Sequence, residues 1–122
     1  MVVSASIPPS FPVLVQNFFA DFLMSQRNSS PRTIASYRDT FRLLMRYLQE
    51  ITKRSPAAFQ LEDLQASGIL DFLNQLENKR QNTARSRNLR LAAIRAFFRY
   101  AASRNPEALA IAEQVLAIPV KR

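Results

Sequence analysis

Residues 30–53 read Ser30-Pro31-Arg32-Thr33-Ile34-Ala35-Ser36-Tyr37-Arg38-Asp39-Thr40-Phe41-Arg42-Leu43-Leu44-Met45-Arg46-Tyr47-Leu48-Gln49-Glu50-Ile51-Thr52-Lys53. Ile34, Tyr37, Phe41, Leu44, Leu48 and Ile51 fall at alternating spacings of three and four, which puts them on one side of an α-helix. Ser30 stands at the N-cap, where its side-chain oxygen can take a backbone N–H of the first turn. Pro31 suits the first helical position, whose N–H has no intrahelical partner. Ser55-Pro56 stops the helix, so it should run to about Lys53.

Working upstream, Phe11, Leu14, Val15, Phe18, Phe19, Phe22 and Leu23 form a broad apolar face, predicting a first helix from Phe11 to about Gln26. Downstream, Leu61, Leu64, Ile69, Leu70, Phe72, Leu73 and Leu76 supply a third helical stretch within 57–77. Gly68 disfavours an unbroken helix there, so a short turn and then a helix from about Ser67 is expected. Lys79-Arg80-Gln81-Asn82 is a polar connection, with Asn82 or Thr83 as cap of a fourth helix that buries Leu91, Ile94, Phe97, Phe98 and Ala101 and reaches about Arg104. Asn105-Pro106 ends it, and a fifth, short helix follows from about Glu107 to Leu116. No strand pattern competes, so the fold class is all-α. The expected organisation is a flexible tail at 1–10, one domain at 11–116 and the start of an interdomain linker at 117–122.

The chain has 122 residues, no cysteine, no histidine and one glycine. That length suits a single domain with its own core. Without cysteine there is no disulfide framework, thiolate nucleophile or Cys-type zinc site. Without histidine the commonest metal ligand and acid–base group are missing, and one glycine cannot build a phosphate-cradling loop. No catalytic, cofactor or metal site is therefore expected. Tyr37, Tyr47 and Tyr100 are read as core anchors rather than nucleophiles, and Glu62-Asp63 are adjacent rather than convergent. The longest apolar run, Ala108 to Ala112, is far short of the roughly 20 residues that cross a bilayer, and no signal segment is recognisable; no membrane partner and a cytoplasmic location are expected.

The formal charge is +8, and it is not spread evenly. Residues 27–54 carry seven basic and two acidic groups, and residues 79–104 carry eight basic and none acidic; residues 55–78 hold four acids and no base. The second and fourth helices therefore carry the positive excess, as a surface facing a polyanion would. Arginine, the commoner base here, has a planar fork suited to phosphate and guanine edges. Thr33, Ser36 and Thr40 form a stripe of short polar side chains beside the buried side of helix two, with Arg38, Arg42 and Arg46 along another. On helix four Arg85, Leu89, Ala93 and Ala96 share a face flanked by Arg95 and Arg99. Ser36, Ala93 and Ala96 are small either because the backbone approaches a groove there or because helices pack closely; both readings stay open. Helix N-termini at Ser30–Thr33 and Asn82-Thr83 offer N–H groups to phosphate.

With these residues in view, Ser30-Pro31-Arg32-Thr33-Ile34-Ala35-Ser36-Tyr37-Arg38-Asp39-Thr40-Phe41-Arg42 resembles the "S-P-x-T-x-x-x-Y-x-x-x-(L/F)-R" segment of tyrosine recombinases of the phage-integrase and Xer type. Leu89 to Tyr100 is similar to their "L-x-x-(I/L)-R-x-F-F-x-(Y/F)" helix, and Phe18 to Arg27 to the helix that precedes both. The resemblance covers about residues 11–122 and implies the N-terminal core-binding domain, a SAM-like bundle of four to five helices. It implies that helices two and four lie across adjacent major grooves of duplex DNA, as half of a clamp closed by a separate catalytic domain, in support of DNA integration and recombination. It implies contacts with other recombinase protomers through helix one and helix five. Carried over by motif, Thr33, Ser36 and Arg42 match DNA-facing positions of helix two, and Arg85, Ser86, Leu89, Ala93 and Arg99 those of helix four. The family's catalytic residues belong to a domain this sequence does not match, so no enzymatic activity is expected of this chain, which reads as an excised domain. Charge, caps and resemblance together give as DNA-binding candidates Ser30, Arg32, Thr33, Ser36 and Arg42, then Thr83, Arg85, Ser86, Arg87, Arg90 and Arg99. The rival expectation is a protein–protein interaction module working through the apolar first and fifth helices.

Overall fold

The computed structural model describes residues 10–79 and 83–121. Residues 1–9 of the tail expected at 1–10, residues 80–82 of the polar connection expected at 79–82 with Asn82 as the alternative cap, and Arg122 lie outside the described residues. Helix α1, Phe11–Asn17, continues without a break into a π-helical segment, Phe18–Gln26. There the Arg27 N–H reaches back to the Phe22 carbonyl at 2.8 Å, and the Ser25 hydroxyl to that of Ala20 at 2.9 Å. A π-winding over nine residues is uncommon. It spreads three aromatic rings over the neighbouring helices: Phe18 meets Tyr37 at 6.4 Å, Phe19 meets Phe41 at 6.1 Å, and Phe22 meets Tyr100 at 5.8 Å. The helix expected over 11–26 is present, but its second half is wound more widely than α-helical spacing assumes.

Helix α2 spans Pro31–Thr52. The Ser30 oxygen accepts from the Thr33 N–H at 3.1 Å, and Pro31 occupies the first turn. The helix ends where Lys53 turns left-handed at φ 61°, its N–H closing on the Gln49 carbonyl at 2.9 Å. Two single 3₁₀ turns, Pro56–Ala58 and Leu61–Asp63, follow. Arg54 staples them, donating to Ala58 O at 2.7 Å and pairing with Asp63 at 3.2 Å while its guanidinium lies over the Phe59 ring. Asp63 also accepts from the Gln60 N–H at 2.8 Å, so its carboxylate serves the loop.

Helix α3 spans Ala66–Lys79 and includes Gly68 in its first turn. Helix α4, Ala84–Arg104, is capped by Thr83, whose oxygen accepts from the Ser86 N–H at 3.2 Å. Asn105-Pro106 breaks it, a 3₁₀ turn covers Pro106–Ala108, and α5 spans Leu109–Leu116. The result is an all-α bundle; no strand occurs among the described residues. Helix α4 is its axis. Leu91, Ile94, Phe97, Phe98 and Ala101 are buried as their spacing predicts. The Phe97 ring meets Phe11 at 5.5 Å, Phe18 at 5.7 Å and Phe41 at 5.4 Å, so one side chain joins α1, the π-segment and α2.

Three expectations change. Ile51 is 54% exposed, because the buried side of α2 drifts at its C-terminal end to Leu43, Tyr47 and Leu48. There α3 sets the packing: Phe72 lies 5.6 Å from the Tyr47 ring, and the Tyr47 hydroxyl donates to Asp71. Thr40 is buried, and its hydroxyl returns to the Ser36 carbonyl at 3.2 Å. Ala93 and Ala96 are buried as well, so their small size serves helix packing and neither lines an outer face. Residues 117–121 lie back along α4: Ile118 is buried, and Arg95 donates to the carbonyls of Leu116 and Ile118.

Candidate nucleic-acid interface

Helices α2 and α4 pack side by side, and their N-terminal halves meet at a small cleft of about 90 Å³ lined by Ser36, Asp39, Ser86, Leu89 and Arg90. Asp39 bridges the seam: Oδ1 takes the Arg42 guanidinium at 2.5 Å and Oδ2 that of Arg90 at 3.2 Å. The Arg42 hydrogen bond, and to a smaller degree Arg90, holds the Asp39 carboxyl below its ordinary range against the opposing effect of burial. Arg90 also reaches the Thr40 hydroxyl at 3.4 Å.

The arginines divide into those the fold uses and those it leaves in solvent. Arg95 is tied to carbonyls at the end of α5, and Arg54 to its loop. Arg27, Arg38 and Arg104 lie over the rings of Phe22, Phe19 and Tyr100. Arg87, one of the DNA-binding candidates, is turned inward: it is buried and its Nε sits 3.8 Å from Glu77, while Nε and Nη1 have no hydrogen-bond partner among the described residues. Arg90 is largely covered and engaged with Asp39. Among the described residues Arg32, Arg46, Arg85 and Arg99 are exposed and make no salt bridge.

Those four fall into two matched pairs. Arg32 and Arg46 on α2, and Arg85 and Arg99 on α4, are each separated by fourteen positions, close to four turns. Each pair therefore shares a helix face over about 21 Å at 1.5 Å per residue. Ser36 is exposed along the α2 face, Leu89 and Ala92 along that of α4. Thr33 and Ser86 are half-buried beside them, and Ser30 and Thr83 sit at the two caps. Of the candidate set, the surface thus presents Ser30, Arg32, Ser36, Arg42, Thr83, Arg85 and Arg99 in the open. Ala93, matched to a DNA-facing position by motif, is fully buried.

Asp39 was not among the candidates, although an acid three positions before Arg42 on a helix signals an intrahelical pair. Asn88 and Lys121 were missed too, and no local pattern marks a contact across 33 positions.

A second surface is apolar. A groove of about 600 Å³ between the first helix and α2 is lined by Val15, Phe19, Met24, Phe41 and Met45, with Arg38 and Arg42 at its rim. No helix among the described residues is long and apolar enough to cross a membrane.

A small all-α bundle whose two packed helices each carry an aligned pair of exposed arginines defines a helical module with two basic helix faces. More specifically, the chain belongs to the phage integrase N-terminal SAM-like domain family, whose model matches residues 16–105. It is 47% identical over its whole length to "Putative integrase/recombinase y4rC" of Sinorhizobium fredii, covering 36% of that protein. It is 46% identical over 89% of its length to "Putative integrase/recombinase y4rD" of the same organism, covering 39% of it. The chain thus spans little more than a third of the length of the curated relatives it matches. No solved structure matches at a significant level.

Proposed function

We propose that this domain grips duplex DNA as half of a recombinase clamp, with α2 and α4 against the DNA. Arg32, Arg46, Arg85 and Arg99 contact phosphates, Arg42 assists them, and Ser30, Thr33, Ser36, Thr83 and Ser86 supply hydroxyl and N–H contacts around the two helix starts. Arg90 acts from behind, through Asp39, and Arg87 is structural. The observation that carries this reading is the coincidence of the charge excess with two packed helices that each hold an aligned pair of exposed arginines with no salt bridge among the described residues. Leu89 offers no hydrogen bond, so contact there is apolar or by shape. In a full-length recombinase this grip serves DNA integration and recombination, and the chemistry resides in a separate catalytic domain. The domain comprises residues 11–121, with 117–121 counted in because they pack on α4.

Fluorescence anisotropy with duplex DNA across a salt series tests this. Binding should weaken steeply, with a slope of log affinity on log salt of about −0.9 per phosphate contacted. Absence of binding at low salt, or salt-independent binding, overturns it.

The apolar groove supports an additional contact. We propose that on DNA neighbouring protomers meet through helix one and α5, whose Leu109 is exposed. Sedimentation should then show association that depends on DNA; a stable self-complex without DNA favours an independent interaction module instead.

A further inference from the structure

An acidic side chain at the seam of two arginine-rich helices opposes their charge, and Asp39 is in that position. Its two partners differ. Arg42 lies on the same helix, three residues on, and its side chain is 59% exposed; Arg90 comes from the neighbouring helix and is 16% exposed. The Nε of Arg90 is buried without a hydrogen-bond partner among the described residues, so its guanidinium depends on Asp39 and Thr40 for what pairing it has. An exposed pair within one helix is weak and screened by salt, whereas a pair partly shielded between helices is screened less.

We propose that Asp39 is an internal counter-ion which holds Arg42 in the free domain, yields it to a DNA phosphate on docking, and keeps Arg90 throughout. The inference rests on the reading that the α2–α4 face binds DNA. Its physical content is a competition. Both the carboxylate and the phosphate are anions of guanidinium-matching shape, and the phosphate carries the field of the whole duplex. Arg42 therefore changes partner with little rearrangement, since it already stands at the solvent edge. The carboxylate left behind is still neutralised by Arg90, which is why the seam between the helices survives the exchange. The same charge sets a threshold: a lone phosphate or a weakly charged polymer gains little by displacing Asp39, while a continuous duplex that engages both arginine rows overcomes it.

The experiment compares wild type, Asp39→Asn and Arg42→Ala by anisotropy with a duplex of about 20 base pairs across a salt series. Thermal unfolding is followed by circular dichroism in parallel. Asp39→Asn should bind roughly three- to tenfold more tightly at about 0.1 M salt, because one opposing charge leaves the face. Arg42→Ala should bind more weakly, and its salt slope should be shallower by about 0.9, the signature of one lost phosphate contact. A folded Asp39→Asn that binds no tighter than wild type overturns the counter-ion role. An Arg42→Ala slope equal to that of wild type overturns the exchange, since Arg42 then stays with Asp39. Because Arg42 is exposed, this second arm decides even if Asp39→Asn loses its fold. Failure of the wild type to bind any duplex would instead defeat the DNA reading itself, before either variant is compared.

Discussion

Asn88 brackets the backbone of Lys121: its amide donates to the Lys121 carbonyl at 2.7 Å, and its side-chain oxygen accepts the Lys121 N–H at 2.8 Å. Lys121 in turn reaches Glu77 on α3 at 2.6 Å. With Arg95 holding the carbonyls of Leu116 and Ile118, the segment after α5 is fixed at two points along α4 and led back toward the N-terminal half of that helix. Lys121 thus lies beside Ala84, Arg85 and Leu89, of which Arg85 and Leu89 are exposed.

Replacing Asn88 by Ala removes both bonds at once. At roughly 0.5–1.5 kcal/mol for each net hydrogen bond, and at the low end for exposed ones, the loss of stability should be about 1 kcal/mol. The larger effect is local. Amide exchange at Lys121 should accelerate strongly while Phe97 and its neighbours stay protected. Unchanged exchange at Lys121 would mean that Arg95 and Ile118 suffice to hold the segment.

Tyr47 makes stability fall at high pH. Burial first, and then the hydrogen bond to Asp71, pushes its phenol up to about 12 from 10. The folded state thus favours the protonated phenol, so the associated stability is fully present below about pH 10 and is lost as pH rises toward 12. Tyr47→Phe keeps the ring against Phe72 and removes the ionisation. Melting temperature followed from pH 8 to 11.5 should decline more gently for the variant; identical profiles would place the alkaline sensitivity elsewhere.

Gly68 sits in the first turn of α3 with no left-handed backbone, and a Cβ added there meets nothing within 4 Å. Gly68→Ala should therefore stabilise the fold by about 0.5–1 kcal/mol, through a less flexible unfolded chain and better helix propensity. A thermal melt raised by a few degrees is the expected readout, and a lowered one would mean that the turn leading into α3 needs the glycine.

Much of this fold is legible in the residues themselves, because the helix boundaries rest on local chemistry. Ser30-Pro31, Thr83 and Asn105-Pro106 cap or break helices by hydrogen bonds and sterics acting within four positions. The winding of Phe18–Gln26 is not local: it follows from fitting three rings against α2 and α4, which no spacing rule anticipates. The buried face of α2 also departs from its period at Ile51, because α3 and not the helix itself decides where Tyr47 points. For the proposed interface, segment charge points to α2 and α4. It cannot separate an arginine aimed at solvent from one aimed at an acid on another helix, and that is the difference between Arg85 and Arg87.

That difference yields the sharpest test of the interface, because Arg85 and Arg87 are two positions apart and chemically identical. Arg85 is exposed at the start of α4, whereas Arg87 is buried beside Glu77. Arg85→Ala and Arg99→Ala should leave the folding stability within about 0.5 kcal/mol of wild type. Each should weaken binding to every duplex alike, making the salt slope shallower by about 0.9. Arg87→Ala should do the reverse. It leaves Glu77 with Lys121 alone and opens a space against α3, at a cost of roughly 1–3 kcal/mol, while the salt slope of the fraction that remains folded is unchanged. A reduced slope for Arg87→Ala with undiminished stability would mean that Arg87 swings out to meet phosphate and that the inward pair with Glu77 is given up on binding.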